Sequence, residues 1–145
     1  MRIVLQRVKS ASVKSGSQKI SEIGPGFLLL VGIGHEDDET VLEKAARKIC
    51  ALRVFEDDTG KMNLDLKQVG GQILAVSQFT LYADTRKGNR PSFVNAAPPE
   101  KAELLFDKFV SLLRAEGFNV GTGAFGEIME VSLINWGPVT LSLEF

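Results

Sequence analysis

The sequence predicts an α/β domain, and three observations carry that prediction. Phe27-Leu28-Leu29-Leu30-Val31 is an unbroken apolar run of the kind found in a strand buried on both faces. Two stretches, starting near residues 38 and 100, repeat their apolar side chains at helical spacing. Toward both ends of the chain apolar and polar residues instead alternate, the pattern of half-buried strands. At 145 residues the chain has the common size of one compact domain. No internal repeat, low-complexity segment or linker points to a second one.

Taken in order, Ile3, Leu5, Val8 and Val13 form an apolar series that continues through Lys19 to Ile23. The first 23 residues therefore read as a pair of strands turning at Ser15-Gly16-Ser17. Gly24-Pro25-Gly26 punctuates before the central strand, Phe27 to Val31. Val41, Leu42, Ala45, Ile49 and Leu52 then predict a helix over about 38–52, with acidic residues early to suit its dipole. Arg53 to Glu56 reads as a short strand closed by the Asp57-Asp58-Thr59-Gly60 turn, and Gly70-Gly71 precedes a strand from Gln72 to Ser77. Residues 83–98 are rich in Gly, Asn, Arg and Pro without periodicity, a long loop of the functional kind, stopped by Pro98-Pro99. From Glu100, the residues Ala102, Leu105, Phe106, Phe109, Leu112 and Leu113 make a wide apolar helix face, with Gly117 placed to end it. Met129, Val131 and Leu133 alternate, Gly137-Pro138 interrupts, and Val139, Leu141, Leu143 and Phe145 alternate again: two strands around a break.

Composition narrows the chemistry. No run approaches the roughly 18 apolar residues of a membrane span, and Met1-Arg2 leads into a strand-like run rather than a secretory signal, so a cytoplasmic protein is expected. The single cysteine, Cys50, lies beside a helical apolar stripe and reads as a buried structural thiol. His35 is the only histidine and opens an acidic loop, where a solvated or strand-capping ring is the simpler reading than a catalytic base. One His and one Cys give a zinc site no material, the acidic run lacks the glycine-containing loop of an EF-hand, and neither a P-loop nor a dinucleotide fingerprint occurs. No metal and no cofactor is expected. A net charge of −1 argues weakly against nucleic-acid binding, yet a short single-stranded end can be gripped by a few local cations, and Arg86, Lys87 and Arg90 are the suitable cluster.

Two strings are more specific. Ser77-Gln78-Phe79-Thr80-Leu81-Tyr82-Ala83-Asp84 and Asn135-Trp136-Gly137-Pro138-Val139-Thr140 closely resemble the two signature motifs of the D-aminoacyl-tRNA deacylase family. Gly88-Asn89-Arg90-Pro91-Ser92-Phe93, Gln6-Arg7-Val8 with Ala11-Ser12-Val13, Gly60-Lys61-Met62-Asn63, and Thr122-Gly123 through Met129 fit the same pattern, so the resemblance runs end to end. It departs at Trp136, where the family usually has aspartate.

The resemblance implies a single three-layer β/β/α domain over residues 1–145, homodimeric, that hydrolyses the ester of D-aminoacyl-tRNA and of mischarged glycyl-tRNA. Its partners would be the aminoacylated 3′ end of tRNA and a second copy of the chain. The implied catalytic segment is Ser77, Gln78, Phe79 and Thr80, in which the backbone N–H groups of Gln78, Phe79 and Thr80 would stabilise the tetrahedral oxyanion. Thr80 is the one plausible side-chain nucleophile there, but nothing near it in sequence is suited to deprotonate it. An X-Pro bond is cis in only about 5–6% of cases, so sequence alone makes Gly137-Pro138 trans. The resemblance reverses this and implies a cis dipeptide inserted into the partner's site as a chiral filter, held by Arg7 through hydrogen bonds to its carbonyls, with Met129 as pocket wall. Two rival readings share the same loop: a general esterase or peptidase with Thr80 as nucleophile, and a non-catalytic nucleic-acid-binding module.

Overall fold

The computed structural model describes residues 1–145, and its elements follow in order. They are β1 (Arg2–Ser15), β2 (Gln18–Ile23), β3 (Gly26–Gly32), α1 (Glu39–Cys50), β4 (Phe55–Glu56), β5 (Met62–Leu64), β6 (Gln72–Ser77), a 3₁₀ turn (Phe79–Tyr82), α2 (Pro99–Ala115), β7 (Val120–Thr122) and β8 (Glu130–Glu144). The α/β expectation holds.

One mixed sheet contains six of the eight strands, with β2-β1-β3-β6-β7 in order and β8 on β1. The organising element is β1. On one edge its first half pairs antiparallel with β3, from Arg2↔Gly32 to Val8↔Gly26, and its second half with β2, from Ala11↔Ile23 to Ser15↔Gln18. Its other edge carries β8. The β3–β6 and β6–β7 pairs are parallel, which requires crossovers, and α1 and α2 lie in those two connections. The sheet curls until β2 meets β7: a methyl group at Gly121 would collide with Ser21 Oγ, so the sheet is nearly closed.

The twofold strand repeat sorts side chains between two clusters. Phe27, Leu29, Val31, Ile73 and Ala75 pack with Leu42 and Ile49 of α1 and Leu105, Phe109 and Leu113 of α2. Leu28, Leu74 and Val76 point the opposite way and join Val8, Ala11, Val13 and Ile23 inside the curl. The run at Phe27 is thus packed on both faces, as its lack of alternation predicts.

Both helices form where periodicity places them. Asp38 caps α1 by accepting from the Val41 N–H at 3.0 Å, and Arg47 and Lys48 close its last turn. Pro99 opens α2, where its missing N–H costs nothing, and Gly117 follows the helix at φ +95°. Cys50 is half-buried, and desolvation, then Glu116, pushes its thiol up to about 12, which keeps it protonated. His35 is exposed, with Nε2 2.9 Å from the Val94 carbonyl. No helix is long and apolar enough to cross a membrane.

Two expectations are corrected, and two strands are new. The two C-terminal strands are one, β8, because β1 runs unbroken opposite it and pairing resumes on both sides of the Gly-Pro step. The register moves from Gln6↔Thr140 to Val8↔Asn135, which leaves Trp136 to Val139 bulging out opposite Arg7. The short strand expected from Arg53 begins only at Phe55, and its partner is β5, a strand not expected, just beyond the Asp57-to-Gly60 turn. The strand β7 was not expected; three residues with a central glycine carry no readable alternation.

Candidate active site

The chain leaves the sheet abruptly at Ser77. Gln78 breaks the strand at φ −147°, ψ 78°, while its N–H still donates to the Val31 carbonyl at 2.7 Å. The 3₁₀ turn begins immediately afterwards, with Leu81 N–H donating to Gln78 O at 3.3 Å and Ala83 N–H to Thr80 O at 3.0 Å. Phe79 and Thr80 open that turn, so their N–H groups have no partner within it, and no side chain caps them. Of the three amides expected as oxyanion donors, the one of Gln78 is already engaged.

Beside this strand end lies a largely apolar cavity of about 590 Å³. Ser77, Gln78 and Phe79 form one wall, Phe93 and the start of α2 another, and Phe125 and Met129 a third. Phe79 is 54% exposed, and its ring meets Phe93 edge-on at 5.0 Å. The wall bearing Phe93 belongs to the aperiodic loop, which is pinned by antiparallel bridges Asp84↔Ser92 and Gly34↔Ala96 and by Ala97 N–H donating to Ile33 O at 2.9 Å. Glu127 is the single ionisable side chain on the lining.

The structure brings together only some of the expected residues. Ser77, Gln78, Phe79 and Met129 line the cavity; Thr80 does not, and its hydroxyl accepts from Gln78 Nε2. Arg7, Gly137 and Pro138 form a separate group outside the cavity of their own chain. The Gly137-Pro138 bond is cis, and both residues are exposed. Arg7 is buried, and its Nε donates at 2.7 Å to the carbonyl of Trp136, one residue before the dipeptide. Arg86 is bound by Asp84 through Nε at 2.9 Å and a second nitrogen at 2.6 Å. Hydrogen bonds from Arg86 hold the Asp84 carboxyl at about 2 and raise the guanidinium in turn. Lys87 and Arg90 are exposed and form no ion pair. Phe93, Phe125 and Glu127 were not singled out from sequence. All three fall inside strings that carry the family resemblance, the signal that could have found them.

A strand end with free amides beside an apolar cavity, without a paired nucleophile and base, is equipped to polarise a carbonyl and to position water. The family model described as D-Tyr-tRNA(Tyr) deacylase matches residues 4–144. A D-aminoacyl-tRNA deacylase of Desulfatibacillum aliphaticivorans is 56% identical over 144 residues, covering 99% of each chain. One from Chlorobaculum parvum is 57% identical over 145 residues, covering 99% of this chain and 97% of its own. Among solved structures, the c-Myc DNA Unwinding Element Binding Protein superimposes with a TM-score of 0.94 at 44% identity, over 100% of this chain and 99% of its own. With nearly the whole chain matched at this level, it belongs to the D-Tyr-tRNA(Tyr) deacylase family and is an enzyme of the deacylase class.

Proposed function

We propose that the chain is a cytoplasmic, homodimeric D-aminoacyl-tRNA deacylase, one three-layer β/β/α domain that hydrolyses the ester between a D-amino acid, or mischarged glycine, and the 3′ end of tRNA. The observation that carries this reading is the cavity at the end of β6, which offers backbone donors and apolar walls but no nucleophile paired with a base. The N–H groups of Phe79 and Thr80 receive the oxyanion, a single such donor contributing roughly 3 kcal/mol to the transition state. The ribose 2′-hydroxyl of the terminal nucleotide helps to activate the attacking water. Gly137 and Pro138 of one protomer enter the cavity of the other, where backbone atoms exclude an L side chain by collision and leave room for a D side chain or for glycine. Arg7 steadies that tip, and Met129 is cavity wall. Lys87 and Arg90 attract the phosphates of the tRNA end, with Arg86 contributing less because Asp84 already neutralises it.

The deciding experiment compares release of free amino acid from D-Tyr-tRNA and L-Tyr-tRNA. Turnover of the D form alone is expected; equal rates on both would remove the chiral reading. The name of the solved relative favours a second reading, nucleic-acid binding without catalysis. Any catalytic release of D-tyrosine excludes it.

A further inference from the structure

We propose that Trp136 is a positioning residue for deacylation, acting through Arg7 on the Gly137-Pro138 tip; this rests on the reading that the tip takes part in the reaction. Arg7 is only 2% exposed, yet its nearest carboxylate, on Glu56, is 3.9 Å away. A cation buried this far needs other compensation. Part comes from carbonyls: Nε donates to Trp136 O at 2.7 Å, and an Nη donates to Val54 O. The rest comes from rings, with the guanidinium carbon 5.9 Å from the Phe55 centroid and 5.3 Å from that of Trp136.

Those two centroids are 6.2 Å apart and their planes meet at 65°, so the guanidinium sits in a corner between rings rather than sandwiched by them. One side of the corner is anchored, because Phe55 stacks on core Phe27 at 5.4 Å. The other side is Trp136, 41% exposed, with Lys9 Nζ over its ring at 6.0 Å from the centroid. Trp136 therefore holds Arg7 twice, by its carbonyl and by its indole. A Cβ on the next residue, Gly137, would lie 3.1 Å from the Arg7 guanidinium, so tip, arginine and indole pack as one unit. Without the ring, water reaches the guanidinium, which is free to turn toward Glu56, and the carbonyl anchor of the tip loosens. A tip that discriminates by collision tolerates displacement of only about 0.5 Å.

The test compares Trp136→Ala and Trp136→Phe with the parent protein in single-turnover and steady-state deacylation of D-Tyr-tRNA. Trp136→Ala is expected to lower kcat about 10- to 30-fold with KM little changed, and Trp136→Phe to recover most of the loss because an aromatic face remains. Full activity in Trp136→Ala, or equal impairment in both variants, overturns the proposal. Should the alanine variant fail to fold, the unmodified protein supplies the measurement, since its single tryptophan reports on the tip alone. Its emission should change on saturation with a non-hydrolysable 3′-D-tyrosylamido-adenosine, and unchanged emission overturns the proposal. Failure of the functional reading is distinct: the parent protein would then release no D-tyrosine from D-Tyr-tRNA.

Discussion

Thr80 separates two mechanisms. Its hydroxyl faces the Gln78 amide rather than the cavity, and that amide, its one side-chain partner, cannot accept its proton. Thr80→Ala should therefore keep deacylation within about tenfold of the parent in single-turnover assays, whereas loss of a true nucleophile costs on the order of 10⁴-fold or more. Turnover of simple p-nitrophenyl esters, lost in the same variant, would favour the esterase reading instead. Tyr82, two residues on, gives a second residue-level prediction. Burial, then the charge of Asp37, pushes its phenol up to about 12. The fold prefers the neutral phenol, so its contribution to stability is complete below the ordinary pH of about 10 and is lost as pH rises toward 12. The chain has one tyrosine, so phenolate absorbance reads it directly; a midpoint near 10 would contradict the packing around Asp37. At this scale part of the cavity was legible, because Ser77, Gln78 and Phe79 are contiguous. Arg7 was legible only as a family position, and its actual acceptor, the Trp136 carbonyl, lies 129 residues away, beyond any local pattern.

Among the elements, legibility followed period and length. The helices α1 and α2 and the strands β3 and β6 could be read because a face repeats over several turns or an apolar run continues. Neither holds for β5 and β7, three residues each. Nor could sequence reveal that β8 is continuous, since that continuity belongs to the partner strand. The closeness of β3 to β6 also depends on a feature without a side chain: at Gly26, φ +158°, an added Cβ would overlap the backbone of Gln72, where the parallel pair starts. Gly26→Ala should therefore destabilise the protein by about 2–3 kcal/mol, because backbone cannot rotate away as a side chain would. Denaturant titration measures it, and a midpoint unchanged from the parent would mean that the start of β6 yields freely.

For the whole molecule, the separation of the cavity from Gly137 and Pro138 within one chain makes complementation the informative experiment. Gly137→Ala should disable the tip, since the new Cβ would come within 2.7 Å of Val139 Cγ2 and 2.8 Å of Val139 N. Ala96→Trp should fill the cavity that Ala96 lines. Each variant alone is expected to be inactive. If the chain dimerises as proposed, refolding the two in equal amounts makes half the dimers mixed, each with one intact site, so roughly a quarter of the parent activity should return. No recovery, with dimers present, would place tip and cavity in the same protomer's reaction. The long reach of β1 also bears on how the protein is made. Its inner edge finds β2 and β3 early, but β8 is synthesised far later, on the order of ten seconds at ordinary ribosome speeds. Until then the outer edge of β1 is an unpaired template for other strands. A chain that stalls before β8 is therefore not a weakened proofreader but an aggregation hazard, so an enzyme that edits translation depends on its own translation running to the last strand.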